Sequence, residues 1–149
     1  SKLWLIYEDD EGEWQAQVVA DIGDASKIPL PVDLSIAADD SLLWVDTWND
    51  GMARLYDISD PFKPQQILAE NLGEQLNMLS QSWDGKRIYF TSSLLANWDK
   101  QVSANGGDLQ FFKAYNWDGK QLQPAFKIDF LEAKLGSPHQ MRFGAYSLY

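Results

Sequence analysis

Asp33–Pro64 reads DLSIAADDSLLWVDTWNDGMARLYDISDPFKP. Its apolar runs are cut apart by residues that turn a chain. Asp33–Ala37 reads as a short inner strand, closed by Asp39 and Asp40. Ser41–Thr47 carries Leu42, Leu43, Trp44 and Val45 without alternation, the pattern of a strand buried on both faces. Asn49-Asp50-Gly51 is a strong hairpin turn, because glycine accepts the positive φ that tight hairpins require. Met52–Ile58 is a third strand. In Asp60-Pro61-Phe62-Lys63-Pro64, proline fixes φ and removes donors where no ladder needs them. Gln66–Glu70 begins a fourth strand. Four consecutive strands joined by tight turns make one blade of a β-propeller.

The order then repeats. Leu76–Ser82 corresponds to the inner strand, Trp83-Asp84-Gly85 to the first turn and Lys86–Ser92 to the second strand. A longer loop runs from Leu94 to Asp108 and ends in Asn105-Gly106-Gly107. Leu109–Tyr115 is the third strand, Asn116-Trp117-Asp118-Gly119 the turn and Gln121–Phe130 the fourth strand. Leu131–Leu135 reads as a short helical turn. Upstream, Leu3–Glu8, the turn Asp9–Gly12 and Trp14–Ile22 form a hairpin that fits the last two strands of an earlier blade. Lys27–Val32, with Pro29 and Pro31, is a connector. Leu3–Gly23, Arg54–Gly73 and Leu109–Gly136 align as strand, Asp-bearing turn, strand and late Gly, a recurrence at about 40–50 residues.

The fold class is therefore all-β, a partial β-propeller of about two and a half four-stranded blades. Residues 1–26 end one blade, 27–73 form the second, 74–136 the third, and 137–149 are a C-terminal segment. Propellers close with about four to eight blades. Alone, this stretch leaves open sheet edges and bare blade faces, which natural proteins avoid. It reads as a fragment, a processed chain, or a subunit that completes a ring with blades from elsewhere. Ser1-Lys2 runs straight into Leu3–Tyr7, as if the chain starts inside a strand.

Composition narrows the function. The net charge of −10 repels phosphate backbones and anionic headgroups, so neither nucleic acid nor a membrane surface is an expected partner. No run approaches the length of a membrane span. The absence of cysteine excludes disulfides, thiolate metal sites and a cysteine nucleophile within this chain, and suits a periplasmic or a cytoplasmic setting equally. No phosphate-cradling glycine loop, nucleophile elbow or zinc spacing is present. The acidic run Glu8–Glu11 lacks the alternating oxygen ligands of a calcium loop and reads as a solvated turn.

Three strings carry a family resemblance. The first is DLSIAADDSLLWV at 33–45, continuing to Tyr56-Asp57-Ile58-Ser59-Asp60-Pro61 and Lys63-Pro64. The second is SWDGKRIYFTSSL at 82–94, followed by Trp98-Asp99-Lys100. The third is His139-Gln140-Met141-Arg142. Together they resemble the C-terminal third of the selenium-binding protein / methanethiol oxidase family. The resemblance implies a seven-bladed propeller about three times this length. It implies oxidation of a small thiol, methanethiol, to formaldehyde, hydrogen sulfide and hydrogen peroxide. It also implies copper held by histidines near the central channel, of which the late histidine carries over onto His139.

His139 is the only histidine, and imidazole suits copper or zinc. The plainer reading is a histidine bonded to backbone, and one ligand does not make a site. Arg142 can orient an anion or an oxygen intermediate through its planar donors, or simply pair with a carboxylate. Asp99, in the long loop, can hold the far nitrogen of a metal-bound imidazole, or cap backbone donors in a turn. Asp46, Trp48 and Asn49 match Ser92–Leu94 of the next blade and can line the same face. The resulting expectation is part of a copper-dependent thiol oxidase, with a small thiol as substrate and the remaining blades as partner. The alternatives are a propeller module for binding or scaffolding, and a ring closed by copies of this chain.

Overall fold

The computed structural model describes residues 1–95 and 97–142. Ala96 and residues 143–149, the end of the C-terminal segment, lie outside that range. Strands β1 (Lys2–Glu8) and β2 (Trp14–Asp21) form a two-stranded antiparallel sheet. Strands β3 (Pro31–Ile36), β4 (Leu42–Thr47), β5 (Met52–Asp57) and β6 (Gln65–Asn71) follow in sequence order as one antiparallel sheet. Strands β7 (Leu79–Gln81), β8 (Arg87–Thr91), β9 (Phe111–Trp117) and β10 (Leu122–Asp129) form a second with the same order. The architecture is the all-β one expected, with the hairpin standing beside two complete blades.

The two-sided burial of β4 has a direct cause. Its side chains alternate between two cores. Trp44 points to the layer between the two complete blades, with Leu55 of β5 and Ile88, Phe90, Phe111 and Tyr115 of the next sheet. Leu43 and Val45 point the other way, into a second core with Leu3, Ile22 and Tyr56. One strand thus joins three sheets. The larger core is knit by edge-on aromatic pairs, Trp44 with Phe90 at 6.2 Å and Trp44 with Trp117 at 5.4 Å.

The inner strands β3 and β7 lie side by side without pairing as a ladder. Side chains join them instead. Asp33 Oδ2 accepts the Leu79 N–H at 3.1 Å, and Gln81 Nε2 donates to Ser35 Oγ at 2.6 Å and to the Ile36 carbonyl at 2.8 Å.

Local readings shift in two places. Leu76–Met78 is expected to be strand, but the strand is Leu79–Gln81; ahead of it the Asn77 N–H donates to the Thr91 carbonyl at 3.0 Å, the Thr91 N–H to the Met78 carbonyl at 2.9 Å, and the Asn77 side chain turns to the Ser93 carbonyl. Asn116 and Trp117 extend β9 instead of turning, since Trp117 packs on Trp44. The turn is made by residues 118–121, with Gly119 at φ +93° and the Asp118 carboxylate accepting the N–H groups of Lys120 and Gln121, both at 2.9 Å. Residues 130–134 form turns, with the Ala133 N–H on the Asp129 carbonyl at 3.0 Å, in keeping with the short helical turn expected there.

Candidate functional site

Both complete blades end their second strand in polar residues. After Val45 come Asp46 and Thr47; after Phe90 come Thr91, Ser92 and Ser93. All five are buried. The C-terminal segment docks on the second set. Thr91 Oγ1 donates to the His139 carbonyl at 2.6 Å, and Ser80 Oγ of β7 donates to the Met141 carbonyl at 2.7 Å. These bonds run His139–Arg142 along the inner edge of β7. The His139 ring is exposed, and its Nδ1 lies 3.1 Å from the Ser93 carbonyl oxygen. A carbonyl oxygen only accepts, so the neutral ring carries its proton on Nδ1 and a free lone pair on Nε2. Nε2 has no partner among the described residues.

Asp99 sits one residue contact further back. Its Oδ2 accepts the Ser93 hydroxyl at 2.5 Å and its Oδ1 accepts the Leu94 N–H at 3.0 Å. The direct contact to the imidazole considered for Asp99 is made by the Ser93 backbone. Ser93 stands between the two, its hydroxyl on Asp99 and its carbonyl on His139. Asn77 Nδ2 donates to that same carbonyl, which fixes it from a second side. The loop that holds Asp99 is pinned in turn. Gln75 Nε2 reaches the Trp98 carbonyl at 3.3 Å and its Oε1 accepts the Lys100 N–H at 2.8 Å. Glu74 accepts from Ser103 Oγ, the Asn105 N–H at 3.0 Å and Lys100 Nζ at 3.1 Å, and these donors hold its carboxyl down at about 2.

Arg142 is exposed, and among the described residues it forms no ion pair; its Nε lies 3.5 Å from Gln140 Oε1. With Asp33, Ser35, Ser80 and Gln81 it lines a polar groove of about 370 Å³ along the inner strands. Asp46, beside that groove, is wholly buried. Its Oδ1 accepts the Asp33 N–H at 2.8 Å, while Oδ2 has no partner among the described residues. Burial, and then the Asp33 carboxylate, push the Asp46 carboxyl up to about 9, so it is a neutral acid at physiological pH. Trp48 and Asn49 line a cavity of about 380 Å³ with Glu74, Gln75 and Lys100 of the next blade, and Asn49 Nδ2 donates to the Ile28 carbonyl at 2.8 Å.

Among the described residues, no group of three or more His, Asp or Glu side chains is placed to hold a metal ion. What the chain does present is one imidazole, held by its backbone and by Nδ1, with Nε2 unpartnered. That is the form in which a histidine binds a metal. The contributions of Ser93, Thr91 and Ser80 were not singled out from sequence. The available signal was the polar run Thr91-Ser92-Ser93 closing an otherwise apolar strand.

Stacked antiparallel blades with a histidine tied along their inner edge define a β-propeller with its candidate site at the inner strands. The family model of the 56 kDa selenium-binding protein matches residues 1–146, and the chain belongs to that family. It is 62% identical over 149 residues to the methanethiol oxidase of Ruegeria pomeroyi, covering 100% of this chain and 34% of the relative. It is 56% identical over 145 residues to the methanethiol oxidase of a Hyphomicrobium species, covering 97% and 33%. The chain thus spans about a third of the length of these relatives. Among solved structures, a hypothetical selenium-binding protein from Sulfolobus tokodaii superposes with a TM-score of 0.68 at 29% identity, covering 85% of this chain and 34% of the other. The periplasmic gluconolactonase of Pseudomonas aeruginosa superposes at 0.63 with 14% identity over 95% and 36%, a likeness of fold alone.

Proposed function

We propose that this chain is the C-terminal part of a methanethiol oxidase, a propeller of seven blades in which His139 is one ligand of a copper ion completed by the remaining blades. The carrying observation is the His139 ring at the inner edge of the blades, fixed at Nδ1 and with no partner on Nε2 among the described residues. The 62% identity to a methanethiol oxidase supports the same reading. Blade surfaces support a continuing ring. Trp4, Ile6 and Trp14 on the hairpin and Phe126 on β10 are exposed, and further blades would cover them.

The reaction consumes methanethiol, dioxygen and water and yields formaldehyde, hydrogen sulfide and hydrogen peroxide. Copper, when bound, supplies one-electron redox chemistry and a soft centre for sulfur. This chain's residues supply the setting. His139 offers a neutral nitrogen donor. Arg142, lining that groove and without an ion pair among the described residues, is placed to attract a thiolate or an anionic oxygen species.

The test uses the full-length protein. In His139→Ala, copper content is expected to fall below half of the wild-type stoichiometry, with thiol oxidation down at least 100-fold. Wild-type copper content and turnover in that variant would remove His139 from the site. Arg142→Met is expected to raise KM for the thiol with copper content unchanged.

A further inference from the structure

We infer that Asp99 and Ser93 form a positioning device that selects the Nδ1–H tautomer of His139, so that Nε2 is the nitrogen left free to bind. The inference deepens the proposed function and rests on it for its use, but the tautomer exists without any metal.

A chain of hydrogen bonds runs from the loop inward to the ring. A backbone carbonyl orients a ring nitrogen only if the peptide carrying it cannot rotate. The Ser93 peptide has three restraints. Its carbonyl accepts from the buried Asn77 amide as well as from His139. Its side-chain hydroxyl donates to Asp99 at 2.5 Å. The next N–H, from Leu94, donates to the other oxygen of the same carboxylate at 3.0 Å. Asp99 thus grips both sides of the peptide that faces the histidine. A carboxylate suits this task because it only accepts, so both donors must turn to it and the carbonyl must turn away. Asp99 is itself 8% exposed and held in a loop anchored by Glu74 and Gln75, so the grip is rigid. A free histidine side chain ordinarily prefers its proton on Nε2, which would block that nitrogen. The Ser93 carbonyl reverses that preference.

The experiment is nitrogen NMR of the metal-depleted full-length protein, labelled at histidine, with the His139 signal assigned by its loss in His139→Gln. The wild type is expected to show a protonated Nδ1 and an unprotonated Nε2. Asp99→Ala is expected to move most of the His139 population to the Nε2–H form and to weaken copper binding about 10-fold. Asp99→Asn, which keeps the shape and one acceptor, is expected to retain more of the Nδ1–H form than Asp99→Ala. Should Asp99→Ala not fold, Ser93→Ala removes only the hydroxyl that reaches Asp99 and is expected to shift the tautomer in the same direction. A wild-type ring protonated on Nε2, or an unchanged tautomer in the folded variant, overturns the inference. A shifted tautomer in a protein that binds no copper leaves the inference standing and removes the proposed function instead.

Discussion

The two complete blades share strand order and differ in one connection. In the first, Thr47 passes to Met52 through the tight turn Trp48–Gly51. In the second, Thr91 passes to Phe111 through the long loop that holds Asp99. Both carry buried polar groups at this position, but they spend them differently. The tight turn closes on itself and on its neighbour. Asp50 accepts from Thr47 and from the buried Arg54 at 2.5 Å, and a Cβ added at Gly23 would lie 2.8 Å from the Arg54 guanidinium. The long loop turns its polar groups toward the C-terminal segment, through Asp99 and Ser93 to His139. The same scaffold thus locks two sheets together in one blade and presents a side chain in the next. Connection length determines which.

Glycine substitution should separate the two connections most sharply. Gly51 has φ +64°, and a Cβ there would fall 1.8 Å from the Gly73 carbonyl oxygen. Gly51→Ala is expected to cost ~3 kcal/mol or more in denaturant unfolding of the full-length protein. Gly106 in the long loop has φ +75° with nothing within 4 Å of its added Cβ. Gly106→Ala should cost only about 1 kcal/mol, from backbone strain alone. Equal losses would dissolve the contrast between a packed turn and an open loop.

Next in size is a pH effect confined to the first blade. The Asp46 carboxyl is raised to about 9 in the folded protein, whereas an unfolded Asp ionises near 4. Between those values the folded state holds a proton that the unfolded state has released. Stability from Asp46 is therefore complete below about pH 4 and declines as pH rises toward about 9. Asp46→Asn keeps the acceptor for the Asp33 N–H and cannot ionise. It is expected to flatten the fall in thermal midpoint between pH 5 and pH 9 and to raise the midpoint at pH 8. A variant with an unaltered slope would show that Asp46 is ionised in the fold.

The most local expected effect lies in the second blade. Glu74→Gln weakens the charge-assisted bonds from Ser103, Asn105 and Lys100, at a cost of about 1–3 kcal/mol. Because those bonds close only the loop, hydrogen exchange should quicken at the Ala104 and Asn105 amides and stay slow in β8 and β9. Glu74 is held down at about 2, so its contribution is present above about pH 4.5 and fades as pH falls toward 2. Quickened exchange throughout β8 and β9 would mean that the loop supports the blade instead of resting on it.

The strands were legible where one residue type leaves one reading. The unbroken Leu42–Val45 run announced a strand with two buried faces, and Asn49-Asp50-Gly51 announced its turn. The readings slipped at Leu76–Met78 and at Asn116-Trp117, where a distant contact overrode local preference: the Ser93 carbonyl for Asn77 and Trp44 for Trp117. Of the candidate site, the histidine and the loop aspartate were legible as residue types. Their link through Ser93 was not, because it is made by a backbone carbonyl that every residue carries.

By itself, then, the amino-acid sequence determined the blade repeat, the absence of a cysteine ligand or nucleophile from this chain and the single imidazole it carries. Periodicity and composition are local properties, and they survive reading along a line. Only the tertiary structure decided that His139 lies on Ser93, that Asp99 grips the peptide between them, and that Asp46 is buried beside Asp33 and so keeps its proton. Each of those depends on which residues far apart in the chain come within hydrogen-bonding distance, and on how much water folding removes from between them.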